Sequence, residues 1–418
     1  MNDHARRPLA AVLAQHAEEA AFQWLLRSQA VHAPHYSLAD LAKLDDRVEA
    51  HLDGLRIAGD AGWEICRREL KWEEAGEVFA AAHLAFASGH ADRIAAVTEA
   101  VLAVPATLPG LVSALGWLDW EHAQPHAHAL LAAGEPLLRR AGLAACAVHR
   151  QDPGPALDAA LRDPDPAVAP RALRAAGELG RRDALPRCLE LCGADDADTA
   201  FWAAWAAAVL GDHGAADRLV AIAAAGGLHA ERACQAAARR LDPARSLDWR
   251  RQLAAPGGDP RLAVLTTGAI GDPQLVPWLI EQMSVDDLAR PAGEAFSLIT
   301  GLDLAYLDLD RDAPDDFAAG PSEDAADEDV AMDPDEDLPW PDPQRIAAWW
   351  AAHGRDFKAG ERHLLGGAIR EKGLQRALGA GLQRQRAAAA LELVFLQPGR
   401  LLFEVRARGD RQRRRLGA

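Results

Sequence analysis

The sequence predicts an all-α protein: an α-solenoid of helical-hairpin repeats, with a helical N-terminal cap and a small C-terminal helical module. Two observations carry that prediction. Half of the 418 residues are apolar, yet only 6% are aromatic, and alanine is used heavily. Alanine costs least in a helix and lets neighbouring helix axes approach closely. A pattern of small residues also returns about every 30 positions. Two short helices in a unit of that length cannot bury their own apolar side, so the units must stack. The chain is also too long for one ordinary core, as an elongated array requires.

The repeat is clearest in Asp163–Leu191, DPDPAVAPRALRAAGELGRRDALPRCLEL. Its turn glycine, Gly180, recurs as Gly211, Gly271 and Gly301, while Arg150 and Asp242 occupy the same slot in two other units. Eight positions before the slot stand Gly142, Ala172, Ala203, Cys234, Ala263 and Gly293; four before stand Cys146, Ala176, Ala207, Ala238, Thr267 and Ser297. Positions four apart share a helix face, so each first helix carries a strip of small side chains against which another helix can press. Glycine in the slot suits a left-handed helix cap. A second helix then presents larger anchors, read here as Leu185, Leu189, Val220, Val276 and Ile280. The array is placed at residues 109–302, with a looser early unit around Trp117–Trp120.

The Asp-Pro start, the Ala-x-Gly-x-Leu-Gly turn and the Leu-Pro second helix of residues 140–301 resemble the short HEAT-like repeats of bilin lyases. That resemblance implies the fold and says almost nothing about function. Several ordered blocks (EEAAFQWLLR, APHYSLADLAKLDDRVEAHLDGLRIAG, AGEAFSLITGLDL, FKAGERHLLGG and QRQRAAAALEL) resemble an uncharacterised bacterial family encoded in or beside type VI secretion clusters. This second resemblance implies a setting without a mechanism.

Residues 1–108 read as the helical cap. Leu38, Leu41, Leu44, Val48, Leu52 and Leu55 keep the three-and-four spacing of a helix, and Ser37 with Asp40 forms an N-terminal capping box. Residues 303–343 change character: between Asp303 and Asp342 sixteen residues are acidic and Arg311 alone is basic. Such a tract is expected to be a disordered linker. Residues 344–418 form the basic module, with sixteen basic and six acidic residues, a net +10. Helices are expected at 342–352, 370–379 and 382–396, an extended segment at Leu401–Val405, and a mobile tail at Arg411–Arg415. The two charge blocks suggest an intramolecular electrostatic clasp.

A formal charge of −17 argues against a nucleic-acid binder, which needs a basic face to replace counterions. No apolar run reaches the ~18 residues of a membrane span, and the N-terminal stretch lacks an export-signal core, so membrane insertion is not expected and a cytoplasmic location is. Cys66, Cys146, Cys188, Cys192 and Cys234 read as small core fillers. His122 and His126 have a zinc-compatible spacing, but Pro125 between them is expected to break or start the helix, and no third ligand is placed nearby. No phosphate-binding loop, dinucleotide fingerprint or hydrolase elbow occurs. No catalytic residue, metal or cofactor is therefore assigned.

What remains is binding to another protein, as a scaffold or adaptor, with a secretion-system component, effector or toxin as partner. The alternatives are an immunity-type protein that neutralises a basic toxin, and an enzyme of the bilin-lyase kind. Candidate contact residues are Trp202 and Trp205, three apart on one helix face, then Trp340, Asp335, Glu336 and Asp337 in the acidic tract, and Trp349 with Trp350 at the start of the basic module. Tryptophan is favoured because it is enriched at interface hot spots. The oligomeric state is left open.

Overall fold

The computed structural model describes residues 6–315, 317, 319–320 and 332–417. These form an all-α solenoid fold of 22 α-helices, with two short antiparallel ribbons, Asp310–Arg311 with Trp340–Pro341 and His363–Leu364 with Gly367–Ala368. The chain divides into two compact units. One comprises residues 1–32, 36–210 and 399–418; the other comprises 33–35 and 211–398.

In the first unit, Leu38–Ile57 forms as its periodicity requires. All six spaced apolar residues are buried, and Ser37 and Asp40 cap one another through side chain and backbone. The Ser37 hydroxyl, followed by Lys43, lowers the Asp40 carboxyl to about 2. Trp24 stacks on Phe79, with centroids 5.5 Å apart, and the Trp117 ring meets Phe79 edge-on at 5.4 Å. The core around these rings takes in Leu52, Leu55 and Leu111 and continues into Ala141, Ala145 and Cys146 of the first repeat.

The small-residue strip is buried. Of its twelve positions in both units, only Ser297 is half-exposed. At Gly142 a Cβ would lie 2.6 Å from the Leu131 nitrogen, so helices Trp120–Leu131 and Pro136–His149 pack backbone against backbone there. The second-helix anchors fall one residue earlier than expected in three helices. Cys188, Leu219 and Leu279 are fully buried, whereas Leu189 is 44% exposed. The second helices are short, seven residues in Leu185–Leu191 and Val276–Gln282, too few turns for the sequence to fix their phase.

The turn slots are left-handed at Arg150 (φ 57°), Gly180 (68°), Gly271 (72°) and Gly301 (78°), and Gly211 also has a positive φ of 115°. Asp242 departs from the pattern: it starts helix Pro243–Leu253 as its N-cap, accepting from the Arg245 amide. A second constraint acts on these turns. A Cβ on Gly180 would overlap the Gly399 carbonyl, and one on Gly271 would overlap the carbonyl of His363. At Gly301 it would lie 2.7 Å from the Leu365 carbonyl carbon, and at Gly211 3.1 Å from the Pro398 ring. The later chain is laid across the turns, and glycine leaves room for it.

Backbone hydrogen bonds hold that chain. In the second unit His363 donates to Gly271 O at 2.7 Å, Leu365 to Leu298 O at 2.8 Å and Gly366 to Ile299 O at 3.0 Å. In the first, Leu402 donates to Glu178 O at 3.0 Å. Arg150, which replaces glycine in its slot, grips the same segment: its Nε donates to Leu402 O at 2.5 Å, and its Nη1 pairs with Glu404 at 3.0 Å.

Three expected segments of the C-terminal region form close to their predicted limits, as helices Pro343–His353, Glu371–Ala380 and Gln383–Leu396. The tail differs from expectation. Gly409–Leu416 is a helix, in which Arg411 donates to Gly116 O and Leu118 O at 2.8 Å and Arg415 to His149 O at 2.8 Å. Those carbonyls end or interrupt earlier helices, and arginine serves them as a cap. Pro125 also differs: it lies inside helix Trp120–Leu131.

Candidate protein-binding groove

Helix Ala169–Glu178 places Arg171, Arg174 and Glu178 on one side, at spacings of three and four. Glu178 is buried and accepts Arg171 Nη2 at 2.7 Å and Arg174 Nε at 2.8 Å, with Arg406 at 3.8 Å. Glu404, also buried, pairs with Arg406 at 2.8 Å and with Arg150 at 3.0 Å. Two buried carboxylates thus serve four arginines. The Arg174 guanidinium lies 4.7 Å from the Trp202 ring, and Trp202 meets Trp205 edge-on at 5.5 Å. Together these residues back a groove of about 550 Å³, lined further by Arg140, Pro166 and Pro170.

The ion cluster sets a pH response. Burial pushes the Glu404 carboxyl up, but Arg406 and Arg150 outweigh it and bring it to about 2. Glu178 likewise falls well below the usual range, because Arg171, Arg174, Arg150 and Arg406 outweigh its burial. Two histidines act in the same sense. His83 is fully buried with neither ring nitrogen hydrogen-bonded, and burial lowers it to about 3. His149 is lowered to about 4 by burial, with Arg411 and Arg415 adding to it. All four folded values lie below the unfolded ones, so the unfolded chain binds more protons in acid. The histidine contribution is complete above 6.5 and the glutamate contribution above 4.5, and both are lost as pH falls towards the folded values. Urea titrations from about pH 7 to pH 3 should show the midpoint falling in two stages. Replacing His83 by leucine should flatten the upper stage, and Glu404→Gln the lower. A midpoint constant over that range would contradict the assignment.

The candidate residues in the second unit are used internally to different degrees. Asp335 is buried and bidentate with Arg261, at 2.5 and 3.2 Å, and neighbouring Asp333 pairs with buried Arg290 at 2.6 Å. Glu336 and Asp337 are exposed, and Asp337 lies 3.6 Å from His35. Trp340 has a local core after all. It is half-buried, edge-on to Phe317 at 4.7 Å, with the Arg290 guanidinium 4.8 Å from its ring. Trp349 and Trp350 pack against Phe296 and Phe357.

The later described end of the acidic tract therefore pairs with Arg261 and Arg290 of the repeats. The tract also contacts the basic module: Arg384 donates to Pro334 O at 3.0 Å, and Arg345 donates to Asp308 O and Asp310 O and pairs with Asp342 at 3.2 Å. The clasp expectation for residues 321–331 lies outside the described residues.

Among the described residues no group of three or more histidine, cysteine or acidic side chains is placed to hold a metal ion. Burial pushes the Cys66, Cys146, Cys188 and Cys234 thiols up to about 12, far from the thiolate form. No single helix among the described residues is long and apolar enough to cross a membrane. Sequence reasoning missed Arg140, Arg171, Arg174 and Glu178. The available signal was the Arg-x-x-Arg-x-x-x-Glu spacing on a helix whose other positions are mostly small.

Residues 154–238 match the family model for HEAT repeats. That span contains the groove helices Ala169–Glu178 and Ala197–Leu210. That stretch is similar to HEAT repeats, within an all-α solenoid fold. No curated protein matches it.

Proposed function

We propose that this HEAT-like solenoid is a protein-binding scaffold or adaptor, and that its partner docks in the Arg174–Trp202 groove. The supporting observation is the groove's make-up: an open concavity walled by arginines, two prolines and a half-buried tryptophan. Arginine and tryptophan are the side chains most enriched at binding hot spots. HEAT-like arrays expose extended surfaces of this kind. The type VI setting rests on the sequence blocks that resemble that family, and it makes a secretion-system component or effector the expected partner in the cytoplasm. An immunity role toward a basic toxin has less support, since Asp333 and Asp335 are engaged by Arg290 and Arg261.

Isolation of the tagged full chain from its native cells, followed by reconstitution of recovered proteins with the purified chain, tests the proposal. A complex of fixed stoichiometry by light scattering is expected. A chain that leaves extract alone and reconstitutes with nothing recovered would contradict it.

A further inference from the structure

The groove's charge points to the chemistry of its occupant. Glu178 is the carboxylate hydrogen-bonded to both Arg171 and Arg174, yet Arg171 Nε and Nη1 remain buried without a hydrogen-bond partner. Arg140 lines the groove and makes no hydrogen bond or ion pair with any described residue. Behind this wall the four arginines of the cluster exceed its two carboxylates. The groove lining itself carries Arg140, Arg171 and Arg174 against Asp196 and Asp198, in a chain of net charge −17. Asp196 and Asp198 also line the groove and are exposed. Asp196 is committed to its own helix, accepting the Thr199 amide at 2.8 Å and hydroxyl at 2.6 Å.

We infer that the groove binds a protein segment presenting a carboxylate beside an apolar side chain, with Arg140 and the Arg174 edge holding the carboxylate and the Trp202 ring and prolines the apolar group. This rests on the scaffold reading and names its ligand. Size supports a short segment, since about 550 Å³ is the volume of a ligand-sized cleft rather than a domain footprint. The two lining aspartates repel such an acid, which leaves the arginines to hold it. Nucleic acid is disfavoured for a different reason. A polyphosphate needs a long track of cations, and here a few arginines on one wall lie in a strongly acidic chain. A single carboxylate senses the groove more than the distant surface, which is screened beyond about 8–10 Å at physiological salt.

The test is fluorescence anisotropy with the full-length protein and a fluorescein-labelled peptide of alternating glutamate and leucine. Its glutamine and lysine counterparts, a labelled single-stranded oligonucleotide and competing inorganic phosphate serve as comparators. The glutamate peptide is expected to bind. Arg140→Glu is expected to weaken it about tenfold or more, as loss of one charge-assisted contact implies, and the glutamine peptide should be weaker by a similar factor. Arg140 holds no described partner, so the variant's thermal melt should match the parent and report folding independently.

Equal affinity of parent and Arg140→Glu would overturn the inference, as would equal affinity for the glutamine peptide or no binding up to about 1 mM. Tighter binding of the oligonucleotide, or full displacement by phosphate at matched ionic strength, would overturn it in favour of phosphate recognition. A reconstituted protein partner that binds Arg140→Glu and parent alike would leave the scaffold standing and place its contact elsewhere. Failure to recover any partner would count against the scaffold itself.

Discussion

Removal of Gly399–Ala418 is expected to abolish the cooperative melt of the first unit. The weight of the segment lies in what it pairs. Arg150, with a side chain 2% exposed, would lose both Glu404 and the Leu402 carbonyl. The Arg27 guanidinium would lose the Ala407 carbonyl, and Asp45 the Gly409 amide that it accepts at 2.6 Å. Trp117 would lose the Arg408 guanidinium that lies 5.2 Å from its ring. Breaking one buried ion pair from one side costs about 3–5 kcal/mol, because the remaining charge stays buried and unpaired. Whole domains are stable by only about 5–15 kcal/mol. Glu404→Ala alone should therefore lower stability by about 3–5 kcal/mol in urea unfolding, and Glu404→Gln by less, since the shape and one acceptor remain. A truncated chain with an unchanged melting temperature would show that the segment merely rests on the surface.

Gly271→Ala is expected to be far more damaging than a glycine replacement at an open turn, and Gly257→Ala supplies the comparison within the same unit. Both glycines have positive φ, 72° and 83°, so alanine at either incurs the left-handed penalty of about 1–2 kcal/mol. Around Gly257 nothing lies within 4 Å of a new Cβ, whereas at Gly271 the Cβ would meet the His363 carbonyl. The His363 strand must then move, and its 2.7 Å bond to Gly271 O is lost. Overpacking of this kind adds about 1–3 kcal/mol. The difference between the two variants in chemical denaturation isolates the term due to the docked chain. Equal losses would remove it.

Much of the repeat was legible because it depends on side-chain size at a helical period. The strip from Gly142 to Ser297 and the leucine face from Leu38 to Leu55 needed only spacing and volume, and the helices near 343, 371 and 383 needed only alanine, leucine and a cap. The second-helix phase was not legible, since Leu189 and Cys188 differ by one residue in a helix of two turns. Nor was the docking of the later chain on the turns. It works through backbone hydrogen bonds, such as Leu402 to Glu178, that carry no periodic signature. The acidic tract misled for a related reason. Asp333 and Asp335 look like members of a solvated run until Arg290 and Arg261, 43 and 74 residues earlier, are brought beside them. The groove was half visible, in Trp202 and Trp205. Its arginines were not, because only the fold shows Glu178 buried against Arg171 and Arg174 and brings Arg140 of an earlier helix beside them.

Hydrogen exchange of the intact chain, read by mass spectrometry, tests most directly the claim that the later chain occupies the turns and leaves the groove open. The amides of His363–Gly366 and of Leu402 are expected to be protected to the same degree as the repeat helices beside them, while the Ala167 amide at the groove, held only by the Asp165 side chain, exchanges rapidly until the glutamate–leucine peptide is added and then slows. Exchange of 363–366 and 402 at the rate of a free peptide would contradict the account.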